Sequence, residues 1–333
     1  MINVIRFGVL LESTKHYFES VGVLNPAVIK VGSEIFMFYR AVAKGNFSTI
    51  GYCKFSSPTQ LSFRSERPLI VSEFPYESHG LEDPRIVKIE NVYYITYTAY
   101  DGINALGALA TSIDLMHWEK QGIIVPKISR NELNSKLSIE NQFVDEDGRS
   151  TSSLIWDKNL VLFPRKIKNK FYFLHRIKPN IQIVVGITSF TELTTTFWNL
   201  YFDKYADFIV LAPKYDHESD YIGSGCPPLE TQFGWLLIYH GVQSLSGRNV
   251  YAVCAALLDL EKPQIELSRL PYPLFVPEEL WEMQGEVDNV CFPTGLLLEK
   301  EFLFIYYGAA DTRIAVAAVA YDTLLSELMK FKN

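Results

Sequence analysis

The chain has 333 residues, 48% of them apolar and 14% aromatic, with a net charge of −7. That length can bury a sizeable core, and an acidic balance without a basic run excludes nucleic acid as the main partner, because phosphate backbones are held by clustered Lys and Arg. No stretch reaches the roughly 18 unbroken apolar residues of a membrane helix, so no membrane is expected as partner.

The first segment, MINVIRFGVLLESTKHYF, carries one Arg and a short apolar patch followed by acidic Glu12, with no small-residue cleavage site. It does not read as an export signal, and a cytoplasmic location is the expectation. Cys53, Cys226, Cys254 and Cys291 are scattered without a CxxC pair. They read as reduced, buried thiols rather than as a disulfide framework or a zinc site.

From Asn25 onward one unit recurs five times: a proline near the start of a strand, a short polar turn, then an aromatic-rich strand. In chain order the pairs are NPAVIKV with IFMFYR, DPRIVKI with VYYITYT, LFPRKI with KFYFLHR, CPPLET with GWLLIYH, and CFPTGLLLE with FLFIYYG. A third strand of small and apolar residues follows each pair: IGYCKFSS, GALATSI, IVVGITS, VCAALLDL and IAVAAVA. The second strands end at Arg40, Thr98, Arg176, His240 and Tyr307, which lie 58, 78, 64 and 67 residues apart. Alternating apolar positions joined by short turns predict antiparallel hairpins. Residues 126–153 and 196–221 interrupt the pattern and read as loops or short helices over one face. The tail YDTLLSELMKFKN reads as a short amphipathic closing helix. A small antiparallel unit repeated five times predicts an all-β fold, a five-bladed β-propeller with a short C-terminal helix, forming one domain over residues 1–333.

In such a fold the ends of the innermost strands converge on one central pocket. Asn25 and Asp83 stand at first-strand starts, Arg40, Arg176 and His240 at second-strand ends, and Asp311 just after the last repeat. Charged residues within apolar strands need partners or a ligand. Each has a bland reading too. Arg40 and Arg176 could pair with Asp83 and Asp311, Arg85 could brace the Glu82–Asp83 corner, His240 could be a core histidine, and Asn25 a turn former. Their coincidence at equivalent places in separate repeats favours a site, with Tyr97, Tyr239, Tyr306 and Tyr307 as faces on which sugar rings stack.

Ordinary glycoside hydrolysis wants two carboxylates, such as Asp83 with Asp311 or with Glu82. Cations clustered beside a lone acid suit attack by inorganic phosphate, which is already nucleophilic and needs positioning by Arg rather than a general base. One protonated acid, kept neutral by burial or by neighbouring Glu82, then suffices for the leaving oxygen.

At these residues the sequence resembles glycoside hydrolase family 130, the β-mannoside phosphorylases and β-mannosidases. The resemblance runs from about Asn25 to Asp322 and rests on NPAVIKV, EDPRIVKI, YYITYTAYDG, KNLVLFPRKIKNKFYFLHR, IGSGCPPLET, GWLLIYHGV, AALLDLEKP, NVCFPTG and YYGAADT in that order. It implies a five-bladed propeller and an inverting reaction in which Asp83 is the general acid, delivering its proton through a hydroxyl of the bound mannosyl ring. It implies that Asn25, Arg40 and Asp311 hold that ring, with Glu82, Arg85, Tyr97 and Tyr307 also expected in the substrate site. The phosphate-binding positions it implies are Lys158, Arg176, Tyr221 and His240. Lys158 stands where an arginine is expected, and Tyr221 where a lysine is expected, removing one cation.

The reading that follows is an inverting phosphorylase acting on β-linked mannosyl oligosaccharides, with inorganic phosphate as co-substrate, no cofactor and no metal. Its products are α-mannose 1-phosphate and the free acceptor sugar. The alternatives are a β-mannosidase using water and a base such as Glu230 or Glu282, and a non-catalytic carbohydrate-binding propeller. A homo-oligomer is compatible with the sequence, which carries no signal for one.

Overall fold

The computed structural model describes residues 2–137, 153–245 and 247–332. Part of the first predicted interruption, residues 138–152, lies outside the described residues. Most regular structure is β, in four hydrogen-bonded sheets. The largest contains Gly22–Val31, Glu34–Ala43, Phe47–Ser57 and Gln60–Arg64, then Gly80–Ile89, Val92–Tyr100, Ala105–Ser112 and Glu119–Ile123. Its two antiparallel halves are joined by a single parallel pairing, Ser48 with Gly80. Gly80 has φ +126°, and a Cβ there would lie 2.5 Å from the Ser48 backbone, so only glycine permits this junction.

The second sheet holds Lys158–Leu162, Phe171–Arg176, Ile181–Ile187 and Ile209–Leu211. The third holds Tyr221–Ser224, Leu229–Thr231, Gly234–Leu245, Arg248–Leu258 and Glu266–Arg269. The fourth orders Cys291–Glu299, Phe302–Ala309 and Arg313–Ala320 beside Val4–Leu11, so the first strand of the chain completes the last sheet. Helix Thr195–Phe202 lies in the second predicted interruption, and the predicted closing helix spans Tyr321–Met329.

Five apolar clusters among the described residues fill the spaces between successive antiparallel units. Phe38 and Ile50 pack with Ile95 and Ala108, Leu109 with Leu160 and Phe173, Leu174 with Leu237, and Val253 with Ile305. The fifth joins last unit to first, with Tyr306 and Val316 against Val23 and Met37. All four cysteines are free and buried, as their spacing predicts.

A buried polar motif recurs beside these cores. A fully buried glutamate accepts a hydrogen bond from a tyrosine of the second strand and pairs with a cation from the outer strand of the same unit. Glu19 takes Tyr39 at 2.7 Å and Arg64 at 2.9 Å. Glu77 takes Tyr97 and Lys120, each at 2.6 Å. Glu218 takes Tyr239 and Arg269, and Glu282 takes Tyr307 at 2.6 Å and Arg6 at 2.9 Å. In the remaining unit His175 bridges Asp157 and Tyr201 at 2.8 and 2.9 Å. Arg6, on the first strand of the chain, thus does for the last unit what Arg64, Lys120 and Arg269 do for theirs.

Candidate active site

The residues that follow those second-strand positions are Arg40, Thr98, Arg176, His240 and Gly308, of which Arg40, Arg176 and His240 line a cavity. Each is paired in register with a first-strand residue: Leu24 with Arg40, Glu82 with Thr98, Lys158 with Arg176, Gly223 with His240 and Phe292 with Gly308. In the first three units the register then slips, and the next residue takes a left-handed conformation: Asn25 at φ 51°, Asp83 at φ 51° and Asn159 at φ 56°. Such a bulge re-aims a side chain out of the strand alternation. Asn and Asp tolerate positive φ better than other non-glycine residues. The third member, Asn159, escaped the sequence reading, which used proline as its landmark and placed that strand at LFPRKI. The dipeptides Leu24-Asn25, Glu82-Asp83 and Lys158-Asn159 are the signal that aligns the units.

Two adjoining cavities open where these positions converge. The inner one, about 320 Å³, is lined by Asn25, Arg40, Asp83, Lys158, Asn159, Arg176, Lys178, Tyr221, His240, Phe292 and Asp311 among others. The outer one, about 660 Å³, shares Arg40, Trp156, Lys158 and Asp311 with it and adds Glu82, Tyr100, Glu286 and Val287. Asn25, Arg40, Asp83, Asp311, Lys158, Arg176, Tyr221 and His240 are therefore brought together as the sequence predicts, with Glu82 on the adjoining wall.

Asn25 Nδ2 donates to Asp83 Oδ1 at 2.6 Å. Arg40 reaches Glu82 at 2.8 Å and Asp83 at 3.7 Å, and Lys158 reaches Glu82 at 3.3 Å. Burial pushes the Asp83 carboxyl upward, but Arg40, Lys158, Arg85 and the Asn25 hydrogen bond outweigh it and hold it below the usual carboxylate range. The expectation that burial or Glu82 keeps Asp83 neutral is therefore corrected for the free site: Glu82 is taken up by Arg40 and Lys158, and the cations ionise Asp83. Asp311 differs. Burial, with Asp83 and Glu82 adding to it against Arg40 and Lys158, raises it to about 6.

A second set of side chains has buried nitrogens left without partners. Arg176 Nε and Nη1, Asn159 Nδ2 and His240 Nδ1 are buried without a hydrogen-bond partner. Burial, then Arg176, Arg85 and Lys178, holds His240 well below its usual range, so its imidazole is neutral at pH 7. Unsatisfied buried donors each cost about 1–3 kcal/mol, and their gathering at one cavity fits an oxyanion.

Three expected substrate residues lie elsewhere. Tyr97 and Tyr307 are 2% and 0% exposed, with their hydroxyls committed to Glu77 and Glu282. They are core tyrosines, and in the last unit the residue equivalent to Arg40 is Gly308 rather than Tyr307. Tyr239 and Tyr306 are likewise fully buried. Arg85 donates to the Asp83 carbonyl at 2.6 Å and the Gly225 carbonyl at 3.0 Å, bracing the corner from behind, and burial brings its pKa down to about 10. Neither proposed hydrolytic base reaches the cavities: Glu282 is buried against Arg6, and Glu230 pairs with Arg165 at the surface. His217, Glu218 and Cys254 form a buried group of metal-ligand type. Glu218 already accepts from Tyr239, Arg269 and two main-chain N–H groups, and burial raises the Cys254 thiol, so the group is structural. No described helix is long and apolar enough to cross a membrane.

Residues 5–331 match the family described as beta-1,4-mannooligosaccharide phosphorylase. The chain belongs to glycoside hydrolase family 130. It is 33% identical to a β-1,2-mannobiose phosphorylase of Thermoanaerobacter sp. (strain X514), over 93% of this chain and 94% of that one. It is also 33% identical to a 1,2-β-oligomannan phosphorylase of the same organism, over 93% of each. Among solved structures, the β-1,2-mannobiose phosphorylase of Listeria innocua in complex with β-1,2-mannobiose has the same fold, with a TM-score of 0.74 and 22% identity over 98% of this chain and 99% of that one. The family membership accounts for the ordered motifs from NPAVIKV to YYGAADT.

Proposed function

We propose that this family 130 enzyme is an inverting β-mannoside phosphorylase, with one catalytic domain built as a five-bladed β-propeller. The propeller is supported by the five apolar cores linking each unit to the next and the last to the first. The observation that carries phosphorolysis is the set of unpartnered donors on Arg176 and Asn159, with the unpartnered Nδ1 of His240, in the same cavity as Asp83. Phosphate oxygens satisfy such donors, and a phosphate nucleophile needs no general base.

In this reading Asn25, Arg40 and Asp311 hold the mannosyl ring beside Asp83. Phosphate, bound through Lys158, Arg176 and His240, attacks C1 from the face opposite the leaving oxygen. The C1–O bond to the acceptor breaks as a bond from C1 to a phosphate oxygen forms, giving α-mannose 1-phosphate. The acceptor oxygen takes the proton of Asp83, relayed through a ring hydroxyl. The bound anion offsets the cations that ionise Asp83 in the free site, so the carboxyl gains its proton in the ternary complex. The names of both 33%-identical relatives support β-1,2-linked mannosides as substrates.

Product analysis with β-1,2-, β-1,3- and β-1,4-mannobiose, with and without phosphate, tests this. α-Mannose 1-phosphate formed only with phosphate is the expected result. Free mannose at a rate indifferent to phosphate would establish a hydrolase, and binding without turnover a carbohydrate-binding module.

A further inference from the structure

Position 221 holds a tyrosine where the family pattern places a lysine, which on sequence alone takes a cation away. The structure has another cation there. Lys178 lies two residues beyond Arg176, at the end of strand Phe171–Arg176, and lines the inner cavity with Arg176, Tyr221 and His240. Its Nζ sits 4.0 Å from the centroid of the Tyr221 ring, and the Arg176 guanidinium carbon sits 5.4 Å from the same ring. An ammonium over an aromatic face is held there by the ring quadrupole. The ring is itself pinned, because the Tyr221 and Tyr251 hydroxyls hydrogen-bond at 2.5 Å.

We propose that Lys178 is a phosphate-binding residue of this enzyme, its ammonium seated on Tyr221 so that the charge expected from position 221 is supplied from position 178. This rests on the phosphorylase reading above and deepens it. Lys178 is one of the groups that depress His240, so its charge is felt where the unpartnered donors gather. Tyr221 is then a positioning residue: its ring aims one cation and steadies a second. A side chain that is half-buried rather than sealed also suits a co-substrate that must enter and leave.

The test is phosphate binding by calorimetry, alongside phosphorolysis kinetics, on the parent and on Lys178→Met, Lys178→Arg and Lys178→Met/Tyr221→Lys. Losing one charged hydrogen-bond donor to an anion is expected to weaken phosphate about ten- to a hundredfold in Lys178→Met. The KM for mannobiose at saturating phosphate should stay within about twofold, because the loss falls on one substrate only. Lys178→Arg should keep most of the affinity, and the double variant should recover it by returning the charge from position 221. Phosphate affinity unchanged in Lys178→Met overturns the assignment while leaving the phosphorylase reading intact. A parent that binds no phosphate overturns both. Phosphate binding that depends on Lys178 in an enzyme whose turnover ignores phosphate would uphold the anion site and overturn phosphorolysis. If Lys178→Met does not fold, Lys178→Gln and the double variant give the same comparison.

Discussion

Asn25 and Asp83 come from two different antiparallel units, 58 residues apart in the chain, and meet through a 2.6 Å hydrogen bond at two left-handed bulges. The bond favours the ionised form of Asp83. Replacing Asn25 with Ala should therefore raise the pKa of Asp83 and move the alkaline limb of the kcat profile to higher pH. It should also lower kcat by about tenfold, for one lost hydrogen bond to a charged group. A pH–rate profile with an unmoved alkaline limb would mean that another group carries the proton.

Gly308 packs behind Asn25, and a Cβ there would meet Asn25 Oδ1 at 2.1 Å. Gly308→Ala must push Asn25 away from Asp83. Its activity is expected to fall to the level of Asn25→Ala, and full activity would show that the strand can yield.

Asp83→Asn should lower kcat about 10²–10⁴-fold with little change in the affinity for mannobiose. Glu230→Gln, which alters only a surface pair with Arg165, should leave kcat near the parent value. Steady-state kinetics on both variants separates the acid from the bystander.

Tyr97→Phe and Tyr307→Phe each remove a hydrogen bond to a fully buried glutamate. Each should cost about 1–3 kcal/mol of stability by denaturant unfolding, with KM for mannobiose unchanged. A raised KM without loss of stability would return these tyrosines to the sugar site.

Asp311 is raised to about 6 in the folded chain against an ordinary value of 3.8. A carboxyl raised on folding favours the folded state fully only below its unfolded value, and that advantage is lost as pH rises from about 4 through about 6. Asp311→Asn should thus melt higher than the parent at pH 7–8, by about 1–2 °C per kcal/mol relieved for a chain of 333 residues, with the gap closing near pH 4. Thermal melts across pH 4–8 check the sign.

Much of the fold and site was legible because both are periodic. Apolar alternation gave the hairpins, and repetition brought Asn25, Asp83, Arg40, Arg176 and His240 to one place before any coordinate was known. The errors came from position within the repeat. Tyr97 and Tyr307 stand one residue before the positions equivalent to Arg40, and because side chains alternate along a strand, that single step sends them into the core. Asn159 was hidden because the bulge, not the neighbouring proline, is the shared feature. Lys178 left no trace in spacing, since its place depends on the Tyr221 ring from another sheet. The Glu–Tyr–cation motif was equally silent: its glutamates precede the strands and its cations lie on the outermost ones.

The strand Val4–Leu11, with Arg6 on it, has Arg313–Ala320 as its ladder partner. Contacts between such distant segments form late, because the loop they close is nearly the whole chain. During synthesis the first strand must therefore wait, unpaired, until the last sheet leaves the ribosome. Until then Glu282 has no Arg6, and the unit that presents Asp311 cannot settle. Asp311 is thus set in place by the same late pairing that fastens the last sheet to the first strand.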